Sequence, residues 1–276
     1  MSRFIAALPM YDWPEMRAET DAEWARLREA FRAAGIDAPE HLARRNADMP
    51  PVPGGIRDAQ GSIIAPDPAT LPPDEFDLPT LWRHPDLLFG QTCWGPMGLG
   101  LSQHVRVVGQ PDYSAFEGGQ GELYSSVLLM RAEDLPAAML LAEGSPLIPF
   151  DLVRGKRLAY NSDDSMSGII ALTRDLEAMG EGLDVFSQRV ETGGHRRSIV
   201  AAAEGRADVC AVDCRSWAMA QRFEPAAARL RVVGWTGLRK GLPYIAPANM
   251  PDTAFAKLQS ALKASAQLAM SLASSG

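Results

Sequence analysis

Apolar positions recur along this chain with two spacings, and the two alternate. Between residues 21 and 34, Trp24, Leu27 and Phe31 fall on one helical face with charges opposite, and Gly35 stops the run, so a helix is predicted there. Short apolar runs predict strands over residues 4–10, 87–92, 105–109, 123–130, 157–160, 185–190, 208–212 and 230–235. Helical spacing returns over 168–179, 195–204, 216–223 and 252–272. In the first of these, Ile169, Leu172, Leu176 and Met179 share a face and Gly180 caps the end. Residues 208–212 have the composition of a strand buried on both faces. Strands alternating with helices of this length predict an α/β fold of mostly parallel sheets flanked by helices.

Two stretches break the alternation. Residues 94–96 (Trp-Gly-Pro) read as a turn, and Gly118-Gly119-Gln120-Gly121 as a glycine-rich bend. Residues 46–79 are dense in Pro, Gly and Asp, including Pro50-Pro51-Val52-Pro53-Gly54-Gly55 and Pro72-Pro73-Asp74. Proline has no N–H to give a ladder, so this segment is expected to be surface loop, either a mobile flap or a decoration, and its role stays open.

Composition narrows the class. A chain of 276 residues with 46% hydrophobic and 22% charged residues is globular, and suits one large α/β domain or two lobes. A net charge of −7 argues against sequence-independent binding to nucleic acid or anionic membrane. The apolar run at the start is cut short by Pro9 and Asp12, too soon for a secretory segment, and no long apolar segment follows. No membrane insertion is expected. As written the chain is expected in the cytoplasm, or in the periplasm if a leader has been removed. Cys93, Cys210 and Cys214 make no disulfide framework, and Cys210-x-x-x-Cys214 lacks zinc-knuckle spacing, so inert thiols and no metal are expected. Whether Cys93 and Cys214 approach each other stays open.

The chemistry concentrates at predicted strand ends, where parallel α/β sheets hold ligands. Residues 157–160 run into Asn161-Ser162-Asp163-Asp164-Ser165-Met166-Ser167-Gly168 and then a helix. Helix N-termini carry unpaired N–H groups and partial positive charge, so Ser165 and Ser167 with Met166 and Gly168 form a candidate oxyanion cradle. Plain N-capping by serine is the competing reading. His195, after Thr192-Gly193-Gly194, opens the next helix and is either a neutral donor to ligand or a surface cap. Asp213 either accepts from a protonated ligand oxygen, favouring a monoanion, or caps its own helix. Tyr11, Thr92, Trp94 and Tyr124 stand at other strand ends, as ligand walls or as core. Asp163 and Asp164 would repel an anion unless they face solvent, meet other helix dipoles or hold a cationic group of an amino-substituted phosphonate. Ser165, His195 and Asp213 spell a hydrolase triad in order, yet Ser165 lacks the G-x-S-x-G elbow. There is no P-loop, no H-E-x-x-H and no dinucleotide loop, so no cofactor and no enzymatic activity are expected.

These residues resemble the phosphate/phosphonate-type substrate-binding proteins of ABC transporters, a branch of the type II periplasmic binding protein fold. The resemblance is carried by Gln91-Thr92-Cys93, Tyr124-Ser125-Ser126-Val127, the run from Gly155 to Asn161, Ser165-Met166-Ser167-Gly168, Thr192-Gly193-Gly194-His195, Gly205-Arg206-Ala207-Asp208 and Leu242-Pro243-Tyr244-Ile245. It implies two α/β lobes with a ligand cleft between them, lobe one being residues 1–121 plus 234–276 and lobe two residues 122–233. It implies that Ser165, Ser167, Gly168 and His195 hold a phosphate, phosphite or phosphonate-like group, with Tyr124 and Asp213 nearby and Tyr11 and Trp94 closing from lobe one. It implies an ABC permease as partner, and a monomer or weak dimer is expected. A cytoplasmic sensor or enzyme reusing the fold, for example in handling pyrimidine precursors, is the alternative.

Overall fold

The computed structural model describes residues 3–135 and 147–273. The chain forms two compact units, the first of residues 1–92, 97–110 and 242–276, the second of residues 93–96 and 111–241.

The first unit is built on a four-stranded sheet in the order Ile5–Ala7, Leu87–Gln91, Tyr244–Pro247, Val105–Gly109. Ile5–Ala7 runs parallel to Leu87–Gln91, whereas Tyr244–Pro247 is antiparallel to both its neighbours. Helix Arg17–Ala33 buries Trp24, Leu27 and Phe31 against this sheet, the face its spacing predicts. Phe89 is the hub: its ring stacks on Tyr244 at 5.0 Å and meets Phe31 edge-on at 5.2 Å. The first strand is shorter than the 4–10 run suggests, because Pro9 opens a 3-10 turn over Pro9–Tyr11.

The proline-rich segment is more ordered than a loop. It contains the hairpin Ile56–Arg57 with Ile63–Ala65 and short turns at Asn46–Asp48 and Pro68–Thr70, then leads into helix Leu78–Arg83. Side chains supply what prolines withhold. The buried Asn46 amide donates to the Pro72 carbonyl at 2.8 Å and accepts from the Asp77 N–H at 2.8 Å. Asp67 accepts from the Val52 N–H at 2.9 Å.

The second unit carries a five-stranded sheet in the order Gln188–Glu191, Arg157–Tyr160, Val209–Asp213, Ser126–Arg131, Leu230–Trp235. The first three are parallel; Ser126–Arg131 is antiparallel to both neighbours. Each sheet has one reversed strand, and its other strands all run in one direction, as mostly parallel sheets require. Leu128, Leu158, Leu172, Leu176 and Ala211 form its core. Met179 does not join them: helix Ala171–Ala178 ends just before it and leaves it 52% exposed.

The predicted strand 123–130 breaks at Ser125. Leu123–Tyr124 pairs with Gly119–Gln120 and Arg239–Lys240 in a separate three-stranded sheet. Keeping that sheet whole places the unit boundaries at 110/111 and 241/242, outside the 121/122 and 233/234 read from the sequence.

Candidate functional site

Strand Arg157–Tyr160 delivers the chain to the serine turn. Its first turn, Met166–Ile170, is a wide π-turn, a form common at functional sites. Ser165 caps it, accepting from the Gly168 N–H at 3.0 Å. The Met166 N–H donates to the Cys93 sulfur at 3.3 Å. Two of the exposed-amide candidates are thus satisfied by the protein's own side chains, while the Ser167 N–H makes no hydrogen bond to a described residue. The Ser165 oxygen accepts through a lone pair, so its O–H remains a donor. Glycine at 168 leaves room for its neighbours: a Cβ there would displace the buried Asn161 Oδ1 and press on Ser165 Oγ at 3.2 Å. The turn is also held from Gly95, whose missing side chain lets its backbone lie on the Asp164 carbonyl.

Helix His195–Ala203 brings the second component. Thr192 shapes its approach, donating to the Tyr160 carbonyl at 2.9 Å and sharing a 2.7 Å bond with Ser198. Arg196 turns to Glu224 at 2.8 Å and Arg197 back to the Thr192 carbonyl at 3.3 Å. His195 faces inward. Its Nε2 lies 2.9 Å from Ser167 Oγ and 3.4 Å from Asp213 Oδ2. Burial holds its pKa below the ordinary imidazole range against the opposing attraction of Asp213, so the ring is neutral. Asp213 is almost fully buried and caps helix Cys214–Phe223, accepting from Ser216 N at 2.8 Å and Ser216 Oγ at 2.6 Å. Tyr124 is also buried, with Ser167 and Asp213 among the groups that act on its phenol. Burial first, then the nearby Cys93, Asp213 and Tyr113 groups, push its phenol well above the usual range.

The result is a polar cluster centred on Ser167. It lacks the geometry of a hydrolytic relay, in which a carboxylate holds Nδ1 while the hydroxyl faces Nε2. Here Ser167 and Asp213 meet the same nitrogen, and Nδ1 has no partner among the described residues. An imidazole whose Nε2 proton faces the carboxylate donates rather than accepts.

Of the sequence candidates, the second unit holds Trp94, Tyr124, Ser165, Met166, Ser167, Gly168, His195 and Asp213, whereas Tyr11 and Thr92 belong to the first. Trp94 opens a short helix, Trp94–Gly98, where a turn was expected, and Lys240 stands 5.5 Å over its ring. The Trp94 chain neighbours Cys93 and Gly95 are the two residues that grip the serine turn. Tyr11 is buried in its 3-10 turn, and Thr92 is fully buried with its N–H on the Pro243 carbonyl at 3.1 Å. The Tyr160 phenol is pushed up to about 12, first by burial and then by the nearby Asp163 carboxylate. Asp164 accepts from Ser162 Oγ at 2.6 Å. Asp164 thus serves a neighbouring hydroxyl, and Asp163 is exposed to solvent. The sequence analysis did not assign Cys93 and Asn161 as shapers of the turn, although each directly follows a predicted strand.

All three cysteines are free thiols, each pushed up by burial. Among the described residues no group of three or more His, Cys, Asp or Glu could hold a metal, and no helix is long and apolar enough to cross a membrane.

A search of curated proteins gives no match. Among solved structures the chain is similar to PhnD1 from Prochlorococcus marinus in complex with methylphosphonate, with 14% identity, a TM-score of 0.61, and 95% of this chain and 84% of that one covered. It is similar to a binding protein component of an ABC phosphonate transporter from Pseudomonas aeruginosa, with 15% identity, a TM-score of 0.54, and coverage of 93% and 72%. A histidine kinase sensor domain with similarity to periplasmic binding proteins also matches, with 13% identity, a TM-score of 0.56, and coverage of 99% and 94%. These likenesses establish the two-lobed α/β fold of periplasmic binding proteins. The family described as ABC transporter, phosphonate, periplasmic substrate-binding protein matches residues 106–270, more than half of the chain and the whole stretch from Tyr124 to Asp213. The chain belongs to the family of ABC transporter periplasmic phosphonate-binding proteins.

Proposed function

We propose that the chain is the solute-binding component of an ABC-type uptake system, and that the Ser167 cluster binds a small tetrahedral oxyanion of the phosphonate, phosphite or phosphate class. The observation that carries this reading is the meeting of Ser167 with His195 at 2.9 Å, beside the Ser165-capped turn. Ser165, Ser167 and Tyr124 are neutral hydroxyl donors, the Ser167 N–H adds a fourth donor with the helix dipole, and His195 orients Ser167. Asp213 stands beside them, so a ligand that still carries a proton fits better than a fully ionised one. The neutral ring of His195, held by its carboxylate-facing nitrogen, supports binding without turnover. Family membership supports a permease partner and a periplasmic location after loss of a leader; a monomer or weak dimer that needs no cofactor is proposed on the sequence alone. Binding roles for Tyr11, Thr92, Trp94, Met166 and Gly168 are proposed on the resemblance.

Hydrogen bonds to a charged group contribute about 1.5–3 kcal/mol each, so four gross roughly 6–12 kcal/mol before ordering and association costs, and micromolar affinity is expected. Titration calorimetry with methylphosphonate, phosphite and phosphate tests this. At least one should bind with micromolar Kd, and Ser167→Ala should weaken it by about tenfold or more. No heat from any of the three, or a Ser167→Ala variant that binds unchanged, would overturn the reading.

A further inference from the structure

We propose that His84 is a proton-operated clasp that fastens the proline-rich segment 46–79 to the first unit and releases it as the pH falls. The inference is independent of the ligand reading, since it concerns the other unit. His84 stands at the end of helix Leu78–Arg83 and is 1% exposed. Its two ring nitrogens are used in opposite senses. The Asp86 N–H lies 3.1 Å from Nδ1, so Nδ1 must be bare, and the ring proton resides on Nε2, 2.9 Å from the Pro50 carbonyl, to which it donates. That carbonyl belongs to the run Pro50-Pro51, where Pro51 has no N–H to offer. One neutral imidazole therefore links the segment to the chain entering strand Leu87–Gln91, whose first N–H is itself bonded to the His84 carbonyl at 3.0 Å.

Protonation disrupts this arrangement. An imidazolium carries N–H on both nitrogens, so Nδ1–H would confront the Asp86 N–H and a buried cation would replace a neutral ring. The charged groups facing the ring are Asp86, on its own connection, and Asp67, on the segment; both favour the cation, as do the last carbonyls of the helix. Burial opposes them and prevails, holding the imidazole below its ordinary range. A released His84 regains the ordinary value of about 6.5 and so binds the proton more tightly than the clasped one. The contribution of the clasp is thus fully present above that value and is lost as pH falls below it.

Hydrogen exchange on the full-length protein at about pH 7.5 and about pH 5.0, corrected for intrinsic exchange rates, tests the clasp. The linkage allows opening of the segment to rise by up to about thirtyfold across that interval. The expected result is loss of protection at the Val52 and Asp86 amides at the lower pH, with strand Val209–Asp213 of the other unit unchanged. In His84→Gln, which does not titrate, these amides should exchange with no such pH dependence. Unchanged protection in the wild type, an equal change in His84→Gln, or a loss spread over both units would each overturn the proposal. Should His84→Gln not fold, the wild-type imidazole NMR titration decides: a transition below the ordinary range supports the clasp, and one at or above it overturns it.

Discussion

Gly95 is not among the proposed ligand-binding residues, yet the placement of the serine turn depends on its missing side chain. A methyl group there would overlap the Asp164 carbonyl oxygen, stand 2.7 Å from the Asp164 carbonyl carbon and lie 3.1 Å from Ile170 Cδ1. Carbon atoms prefer separations of about 3.5–4.0 Å, so the backbone before Ser165 must retreat by about 1 Å. The obstacle is main chain, not the free end of a flexible side chain, and it cannot rotate away. A shift of that size takes the 2.9 Å contact between Ser167 and His195 to about 4 Å, beyond hydrogen-bond reach. Gly95→Ala is therefore expected to lose about 1–3 kcal/mol of stability through overpacking, a fall in Tm of about 3–10 °C. Affinity for methylphosphonate should drop by about tenfold or more at the same time. Gly98→Ala is the control, because nothing lies within 4 Å of a Cβ at that position of the same short helix. Thermal melts and calorimetry on the two variants side by side provide the assay. If Gly95→Ala melts and binds like Gly98→Ala, the turn is not positioned as described.

Two further outcomes are expected. His195 is neutral in the folded protein because burial outweighs the pull of Asp213, so its contribution to stability is present above the ordinary imidazole value of about 6.5 and lost as pH falls below it; thermal melts from about pH 7.5 to about pH 5.5 should show this slope, and His195→Gln should flatten the part arising in the second unit. Asp208 accepts from Arg157 N at 2.9 Å, Arg157 Nε at 3.0 Å and Arg131 NH2 at 3.2 Å, and these guanidinium neighbours hold its carboxyl well below the usual carboxylate range. The stability it supplies is present above the ordinary carboxylate value and lost as pH falls through the acid range; urea unfolding of Asp208→Asn at neutral pH should show a loss of about 2–4 kcal/mol, and an unchanged midpoint would refute the role assigned to this network.

What the sequence made legible and what it hid follow from the range of the interactions involved. Strands Arg157–Tyr160 and Leu230–Trp235 match the apolar runs that predict them, and the face of helix Arg17–Ala33 follows from the spacing of Trp24, Leu27 and Phe31. Local periodicity suffices for these. Strand direction is another matter: hydrophobic period carries no sign, and so the reversal of Ser126–Arg131 and Tyr244–Pro247 was not visible. Tyr244–Pro247 was hidden further by the prolines at 243 and 247, which read as turn residues. Ser165, Ser167, His195 and Asp213 were legible as strand-end polar residues; what could not be read is how they divide the work. The sulfur of Cys93 meets the Met166 amide across 73 residues of sequence, and the Asn46 amide meets Pro72 across 26. No motif encodes such a pairing, so the partly self-satisfied serine turn, and the side chains that tie down the expected surface loop, were not legible in the sequence.

The central claim is that a tetrahedral oxyanion is held at Ser167 and its neighbours. Amide chemical shifts recorded while methylphosphonate is added test it most directly. Saturable shifts are expected at Ser167, Gly168 and His195 together with the His195 ring, all fitting one dissociation constant. Saturable shifts confined to other residues, with Ser167 and His195 silent, would contradict it.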